Sequence, residues 1–378
     1  MSVDDAERIA RVALSHLAEP GDPRLLRLAR TMGAVELYDA LLAERDLDGT
    51  LSDVATRLAG VRPERRLEQA LRQGVRFVVP GDEEWPAPLD DLADHAALHR
   101  RAEVPVGLWV RGPLRLDRTR HSVAVVGSRA ATTYGGTVAA DLGADLATNG
   151  WCTVSGAAFG VDQAAHRGAL AAGGDTVAVL ACGVDRAYPS AHEALLEVIG
   201  DRGAIVSEAP LGGAPTRIRF LARNRLIAAL SRGTVVVEAA VRSGALNTAG
   251  WAERLNRVVM GVPGPVTSGL SQGVHELIRT RAGLLVTSGA DVREVTGDAG
   301  DALLPPLREA PRIRDGLTGR QQQVLDAVPV VRGATTQAVA RTAGIAVDVT
   351  ERELWVLRRE GLVEEGGTGW RLARRAIA

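Results

Sequence analysis

Five arginines and no carboxylate occupy the stretch between Glu208 and Glu238, where Arg217, Arg219, Arg223, Arg225 and Arg232 surround Phe220. The chain as a whole carries a formal charge of −1 and holds three phenylalanines, so cations gathered around a ring are not an echo of composition. Guanidinium groups take phosphates and a flat side chain offers a face to a base, which is the chemistry of holding single-stranded nucleic acid. A solvated helix face is the plainer alternative. Periodicity speaks against it at one position. A helix over Phe220–Leu230 places Phe220, Leu226, Ile227 and Leu230 on one face with Arg223 in its middle, while Arg225 and Arg232 point nearly opposite. Arg223 is then either a buried arginine paired to a carboxylate such as Glu208 or Glu238, or a ligand-facing residue at the helix mouth. Arg223, Asn224 and Arg225 are expected at the helix N-terminus, where the dipole adds to the positive field.

Three other segments carry candidate chemistry. A strand ending in Gly127, Ser128 and Arg129 offers backbone amides, a hydroxyl and a guanidinium to a phosphate at the start of the next helix. Its plainer reading is a turn with a capping serine. Further on, Gly156 and Gly160 bracket a loop bearing Phe159, and a following helix presents Asp162, His166 and Arg167. Asp162 and His166 stand four apart, share a helix face and are within hydrogen-bonding reach of each other. As base and orienting acid they would suit a hydrolase, but no activated serine or cysteine accompanies them, so a structural or phosphate-positioning role is expected. No histidine has metal-ligand spacing, and no metal is expected. Finally, Glu238 ends a strand, and Ser243, Gly244, Asn247 and Thr248 open the next helix, closing the pocket or simply capping it.

The elements that must position these groups fall into three regions. Residues 1–75 show apolar residues at three- and four-residue spacing in RIARVALSHL, DPRLLRLARTM, AVELYDALLAE and RPERRLEQALRQ, a small helical bundle. A proline-rich connection follows and ends in a short strand at Val106–Val110. From about residue 122 short, continuously apolar, β-branched runs alternate with alanine-rich helices: SVAVVGSR, CTVSGAA, TVAVLACG, AIVSEAP, TVVVEAA and RVVMGVPG. That pattern predicts an α/β domain over 76–295, a doubly wound, mostly parallel sheet covered on both faces, with its glycine-bearing loops at the carboxyl edge where such sheets bind ligands. Residues 296–315 form a proline-containing linker without periodicity. Three helical segments and a hairpin at Gly366–Gly369 then predict a winged helix over 316–378. Its candidate recognition helix, VTERELWVLRREG, nearly balances Arg352, Arg358 and Arg359 with acids, which favours protein contact over duplex reading.

Composition excludes several classes. All 45 basic residues are arginine, a bias read mostly as genomic base composition, yet it removes the lysine that a P-loop, a pyridoxal phosphate enzyme or a Schiff-base aldolase requires. The spacing of GSRAATTYGG is not the GxGxxG of dinucleotide binding, so no cofactor is expected. Cys152 and Cys182 form no CxxC pair and no disulfide framework, which fits a reducing cytoplasm and buried strand residues. The N-terminus lacks the apolar core of a signal peptide, and no stretch reaches the roughly 20 apolar residues of a membrane span.

Taken together, VAVVGSR, VSGAAFGVDQAAHRGAL, AVLACGVDRAYP, IVSEAPLGGAPTRIRFLARNRLIAALS, VVVEAAVRSGALNTA and VPGPVTSGLSQGVHELI resemble the DprA/Smf family (DNA-processing protein A) in order and spacing over roughly residues 75–290. The resemblance implies an extended Rossmann-like domain that dimerises, binds single-stranded DNA and loads RecA during natural transformation and recombination, with no known enzymatic activity. It implies an N-terminal domain of SAM or helix-hairpin-helix type and a DNA pocket at Ser128, Arg129, Arg167, Arg219, Phe220, Arg223 and Asn224. The chain departs from the family pattern at Leu221 and Ala222 in FLARNR, in SGALNTA, and at His192; a family lysine corresponds to Arg217 or Arg219. Two other classes are distinguishable. A LOG-type nucleotide hydrolase carries a PGGxGTxxE loop where this chain has RSGALNTA, and a winged-helix regulator would bind duplex DNA through residues 315–378.

Overall fold

In the computed structural model the described residues are 3–43, 60–95, 97–280, 283–298, 300 and 313–374. The expected linker at 296–315 lies largely outside them. The chain divides into two compact units, Met1–Leu304 and Pro305–Ala378.

A nine-stranded sheet organises the first unit. Its strands are β1 (Val75–Val78), β2 (Leu108–Arg111), β3 (Ser122–Val126), β4 (Cys152–Ser155), β5 (Thr176–Val179), β6 (Ala204–Ser207), β7 (Gly233–Val236), β8 (Val258–Gly261) and β9 (Leu284–Leu285). Their spatial order is β1-β2-β6-β5-β4-β3-β7-β8-β9. From β6 to β9 every pairing is parallel, and β2 and β1 close one end antiparallel. The strands β3 to β7 are buried along their whole length, which is why they read as unbroken apolar runs. β1 is an addition to the sequence expectation: Val75–Val78 straddles the end of the expected helical bundle and the start of the proline-rich connection. The sheet order reverses at β3, since β4, β5 and β6 lie on one side of it and β7, β8 and β9 on the other. A crevice must open outside the carboxyl ends of β3 and β7.

Among the described residues, eight helices are threaded between these strands or precede them, namely α1 (Asp5–Leu17), α2 (Pro23–Met32), α3 (Ala34–Leu42), α4 (Pro63–Arg72), α5 (Thr133–Thr148), α6 (Val161–Ala171), α7 (Glu193–Arg202) and α8 (Arg217–Ala229). Three more, α9 (Gly244–Arg254), α10 (Gln272–Thr280) and α11 (Gly289–Thr296), follow β7. The N-terminal helices share the compact unit with the sheet. Val12 and Ala70 join Phe77 and Trp109 of β1 and β2 in one apolar cluster, and the two rings sit 4.5 Å apart. Arg8 of α1 bridges to Asp82 at 2.7 Å and donates to the Phe77 carbonyl, while Arg11 donates to the Val106 carbonyl.

One buried ion pair ties that region to α8. Arg225 is fully buried, and its Nη1 and Nη2 donate to the two oxygens of Glu208 at 2.7 and 2.8 Å. Its Nε faces the carbonyls of Ala102 and Glu103 at 3.2 Å, and Nη1 also reaches the Ala222 carbonyl. Glu208 further accepts from the Gly21 amide, and the buried Glu103 carboxylate is held by Arg27 and Arg30 of α2. The expectation that Arg225 belongs to a nucleic-acid interface is corrected here. The side of α8 opposite Arg223 is not solvated, because the 98–106 segment and the α1–α2 turn cover it. Every hydrogen-bonding nitrogen of Arg225 is consumed inside the protein.

The second unit, taken by itself, packs α12 (Gly319–Ala327), α13 (Thr336–Ala343) and α14 (Val347–Arg359) with the antiparallel hairpin β10 (Val363–Gly366) and β11 (Gly369–Leu372). Its core is Val324, Leu325, Leu354, Leu357 and Trp370. Gly344 ends α13 at φ 69°, the left-handed cap that turns the chain into α14.

Removing one partner of a buried pair strands the other charge. Glu208→Ala is expected to lower the free energy of unfolding by about 3–5 kcal/mol, measured by urea titration. The double change Glu208→Leu with Arg225→Met is expected to recover part of that loss; equal losses in both variants would show that the charges themselves are not what is stranded.

Candidate nucleic-acid interface

The crevice at the switch point is a cavity of about 700 Å³. Gly127, Ser128 and Arg129 form the wall that follows β3, and Ser243, Gly244 and Thr248 form the wall that follows β7. Arg217, Phe220, Arg223 and Asn224 of α8 supply the third side, and Asp162 of α6 lies at the base.

Two carboxylates build this geometry without facing outward. Glu238, buried at the end of β7, accepts from the Thr132 amide at 2.9 Å and the Thr132 hydroxyl at 2.6 Å, and its own carbonyl accepts from the Ser128 amide at 2.7 Å. The loop after β3 is thereby pinned to the neighbouring strand. Ser128 caps its own turn, its hydroxyl accepting from the Ala130 amide, so the exposed cation of this loop is Arg129. Asp162, also buried, gathers the amides of Gly156 and Ala158, with Gly127 adding a third. Burial pushes the Asp162 carboxyl up from the ordinary range, opposed by Arg223 and by those amides.

At two points the absence of a side chain shapes the site. Gly160 has φ 77°, and a Cβ there would lie 2.2 Å from the Ser128 carbonyl oxygen, so α6 reaches the β3 loop because this residue has no side chain. At Gly156 a Cβ would collide with the guanidinium of Arg223.

Arg223 takes neither carboxylate partner anticipated for it. Glu208 is held by Arg225 and Glu238 by Thr132, and among the described residues no carboxylate lies within 4.0 Å of Arg223. Instead Nη1 donates to the Val179 carbonyl at 2.8 Å and Nε to the Asn224 side-chain oxygen at 3.2 Å. Burial holds its guanidinium below the usual value, with Asp162 opposing and Arg129 adding to the shift. It is at once buried and part of the cavity wall. Asn224 in turn donates to Asn247 at 3.0 Å, fixing α8 to the start of α9. Phe220 is half-buried, with the Arg129 guanidinium 4.9 Å and that of Arg223 5.8 Å from its ring centre. Tyr188, 5.6 Å from Phe220 and 42% exposed, is a second pocket ring that sequence reasoning did not single out, although it sits inside the quoted AVLACGVDRAYP motif.

Other candidates are placed elsewhere. α8 starts at Arg217 with Thr216 as its cap, so the positive end of the dipole carries Arg217 and Arg219, and residues 223–225 lie mid-helix. The side chain of Arg219 is only 16% exposed and is taken by Glu19. Phe159 packs edge-on against His192 at 4.5 Å outside the cavity lining, and Arg167 is exposed on α6 away from it. Asp162 and His166 do not pair: Nδ1 of His166 lies 2.7 Å from the Thr176 hydroxyl, and Asp162 serves backbone amides. In the second unit Arg352 bonds to Asp348, Arg358 to Glu365 and Arg371 to Glu364. Among the described residues no group of three or more histidine, cysteine or carboxylate side chains is arranged to hold a metal ion, and no helix is long and apolar enough to cross a membrane.

Sheet order and crevice together define an extended Rossmann-like α/β protein with an arginine-lined cavity at its switch point. Residues 76–296 match the family model described as DNA recombination-mediator protein A. The chain is 42% identical over 369 residues to a DNA processing protein DprA of Mycobacterium tuberculosis, covering 96% of this chain and 93% of that one. It is 37% identical over 236 residues to protein Smf of Escherichia coli, covering 61% and 60%. The X-ray structure of DNA processing protein A from Streptococcus pneumoniae superposes with a TM-score of 0.62 at 31% identity, over 77% of this chain and 98% of that one. DNA processing protein A from Helicobacter pylori, whose structure describes a single-stranded DNA binding mode, superposes at 0.50 with 28% identity over 58% and 94%. The chain belongs to the DNA recombination-mediator protein A family. The family description names a mediator of recombination, not an enzyme.

The imidazole behind the pocket yields a pH test. Burial, then Arg223 and His192, push His166 from 6.5 down to about 3, so it is neutral in the fold. On unfolding it regains ordinary basicity. The stability carried by the neutral ring is complete above about pH 6.5 and is lost as pH falls towards 3. Between pH 6 and 4.5 the wild type is expected to lose about 1.4 kcal/mol more per pH unit than His166→Gln in urea titrations. The opposite shift of Asp162 is common to both proteins and cancels. Parallel pH profiles would mean that the ring is not held neutral.

Proposed function

We propose that this protein is a single-stranded DNA-binding recombination mediator that protects the strand and loads RecA onto it. The observation that carries the proposal is the switch-point cavity, where Arg129, Arg217 and Arg223 converge against one carboxylate, Asp162, around Phe220 and Tyr188. Exposed Arg129 and Arg217 are placed to take phosphates, and the two rings offer stacking faces that tolerate any base. Arg223, fixed by the Val179 carbonyl, gives a pre-positioned charge at the cavity wall. Membership of the family and the single-stranded DNA mode described for the Helicobacter pylori relative support the same reading. The RecA partnership rests on the family resemblance.

The protein acts in this reading as a homodimer through its Rossmann-like domain. β9 ends the sheet, and its residues Leu284 and Leu285 are 46% and 55% exposed, an apolar edge suited to a second copy. The second unit is proposed as a winged helix that contacts protein, since the arginines of α14 and the hairpin are largely committed to neighbouring acids.

Arg129→Ala combined with Arg217→Ala is expected to weaken oligo-dT binding at least about tenfold and to flatten the log-affinity against log-salt slope by about 1.4, the value for two phosphates of a single strand. Phe220→Ala is expected to cost about 1–3 kcal/mol of binding. Fluorescence anisotropy with labelled oligo-dT at several salt concentrations reads both, and unchanged binding in all variants would remove the pocket from the interface. Isolated residues 313–374 are expected not to bind duplex DNA in the same assay.

A further inference from the structure

Arg219 is one of two arginines of α8, with Arg223, that the family resemblance assigns to the strand, yet its donors are already spoken for. Nε and Nη2 form a fork with the two carboxylate oxygens of Glu19 at 2.9 and 2.8 Å, and Nη1 donates to the Ala214 carbonyl at 2.8 Å. A carboxylate in this fork presents two oxygens to a guanidinium just as a phosphate does. Arg217 and Phe220 line the cavity, whereas Arg219 lies next to that lining, in a small recess it shares with Pro20, Glu208 and the cavity-wall residue Arg223.

Glu19 comes from the turn between α1 and α2, 200 residues away in sequence, and its side chain is 47% exposed. The turn does not depend on it. Backbone contacts hold the turn in place: the Gly21 amide donates to Glu208, the Ala102 amide donates to the Gly21 carbonyl, and Arg101 donates to the Pro20 carbonyl. A solvent-reaching carboxylate on a fixed turn is free to swing away while the fold stays intact.

We propose that Glu19 is an affinity-setting residue of the strand-binding site: its carboxylate occupies the phosphate position on Arg219, and a strand engages that arginine by displacing it. The proposal rests on the nucleic-acid reading of the cavity. It gives the N-terminal helical region a role in binding, as the source of an internal competitor. Ligands with few phosphates leave Glu19 in place and lose Arg219; a strand anchored at Arg129 and Arg217 has the contacts to take it.

The test is a double-mutant cycle on the full chain with labelled oligo-dT. Glu19→Gln keeps the shape and removes the charge, and it is expected to tighten binding about 1.5-fold to fivefold, the span of a partly exposed ion pair. Glu19→Ala is expected to do the same. In an Arg219→Gln background the gain is expected to vanish. An equal gain in both backgrounds would reduce Glu19 to a general charge effect and overturn the proposal, as would unchanged or weaker binding in Glu19→Gln. Failure of the underlying reading looks different: the wild type itself would show no salt-dependent oligo-dT binding. Thermal melts of each variant confirm that the fold is retained.

Discussion

The bidentate pair between Arg225 and Glu208 is the constraint on which the position of α8 depends. Taking two charges out of water is costly, and the cost is offset here because nearly every lone pair and proton finds a partner. The carbonyls of residues 102 and 103, the Gly21 amide and the α8 backbone all close on the pair. Such an arrangement tolerates little drift. Because α8 also carries Arg217, Phe220 and Arg223, the same contact that docks the N-terminal turn sets where those side chains meet the crevice.

Within one helix the arginines have separate duties, and burial decides which. Arg225 is structural, with no exposed surface. Arg223 stands in the cavity wall, its charge supported by the Val179 carbonyl, the Asn224 side-chain oxygen and the more distant Asp162. Arg217 is open to solvent. Asp162 and Glu238 act beneath them as collectors of amides, fixing loops that would otherwise move. The acids of this site hold its frame, and the arginines face its opening.

The α/β architecture was legible because parallel strands buried on both faces leave unbroken apolar runs, and each of SVAVVG, CTVSG, TVAVL, AIVS and TVVV became a strand. β1 was not legible: Val75–Val78 is a short edge strand beside a proline-rich segment, and its antiparallel partner lies about 30 residues on. The pocket residues on glycine-bearing loops could be located from strand ends alone. The division among the arginines could not. Helical periodicity separates two faces but does not say whether the second face meets water or the α1–α2 turn, so Arg225 looked available. The partner of Arg219, Glu19, is invisible to any local pattern because tertiary folding alone brings a residue from the α1–α2 turn to α8.

Gly156 and Arg223 share one volume: the guanidinium lies where any β-carbon at 156 would have to be. Through that shared volume the two positions are sterically coupled. A side chain at 156 requires either that the guanidinium leave its place against the Val179 carbonyl or that the arginine be shortened. A charge fixed at this point of the cavity is thereby tied to a residue without a side chain 67 positions away along the chain.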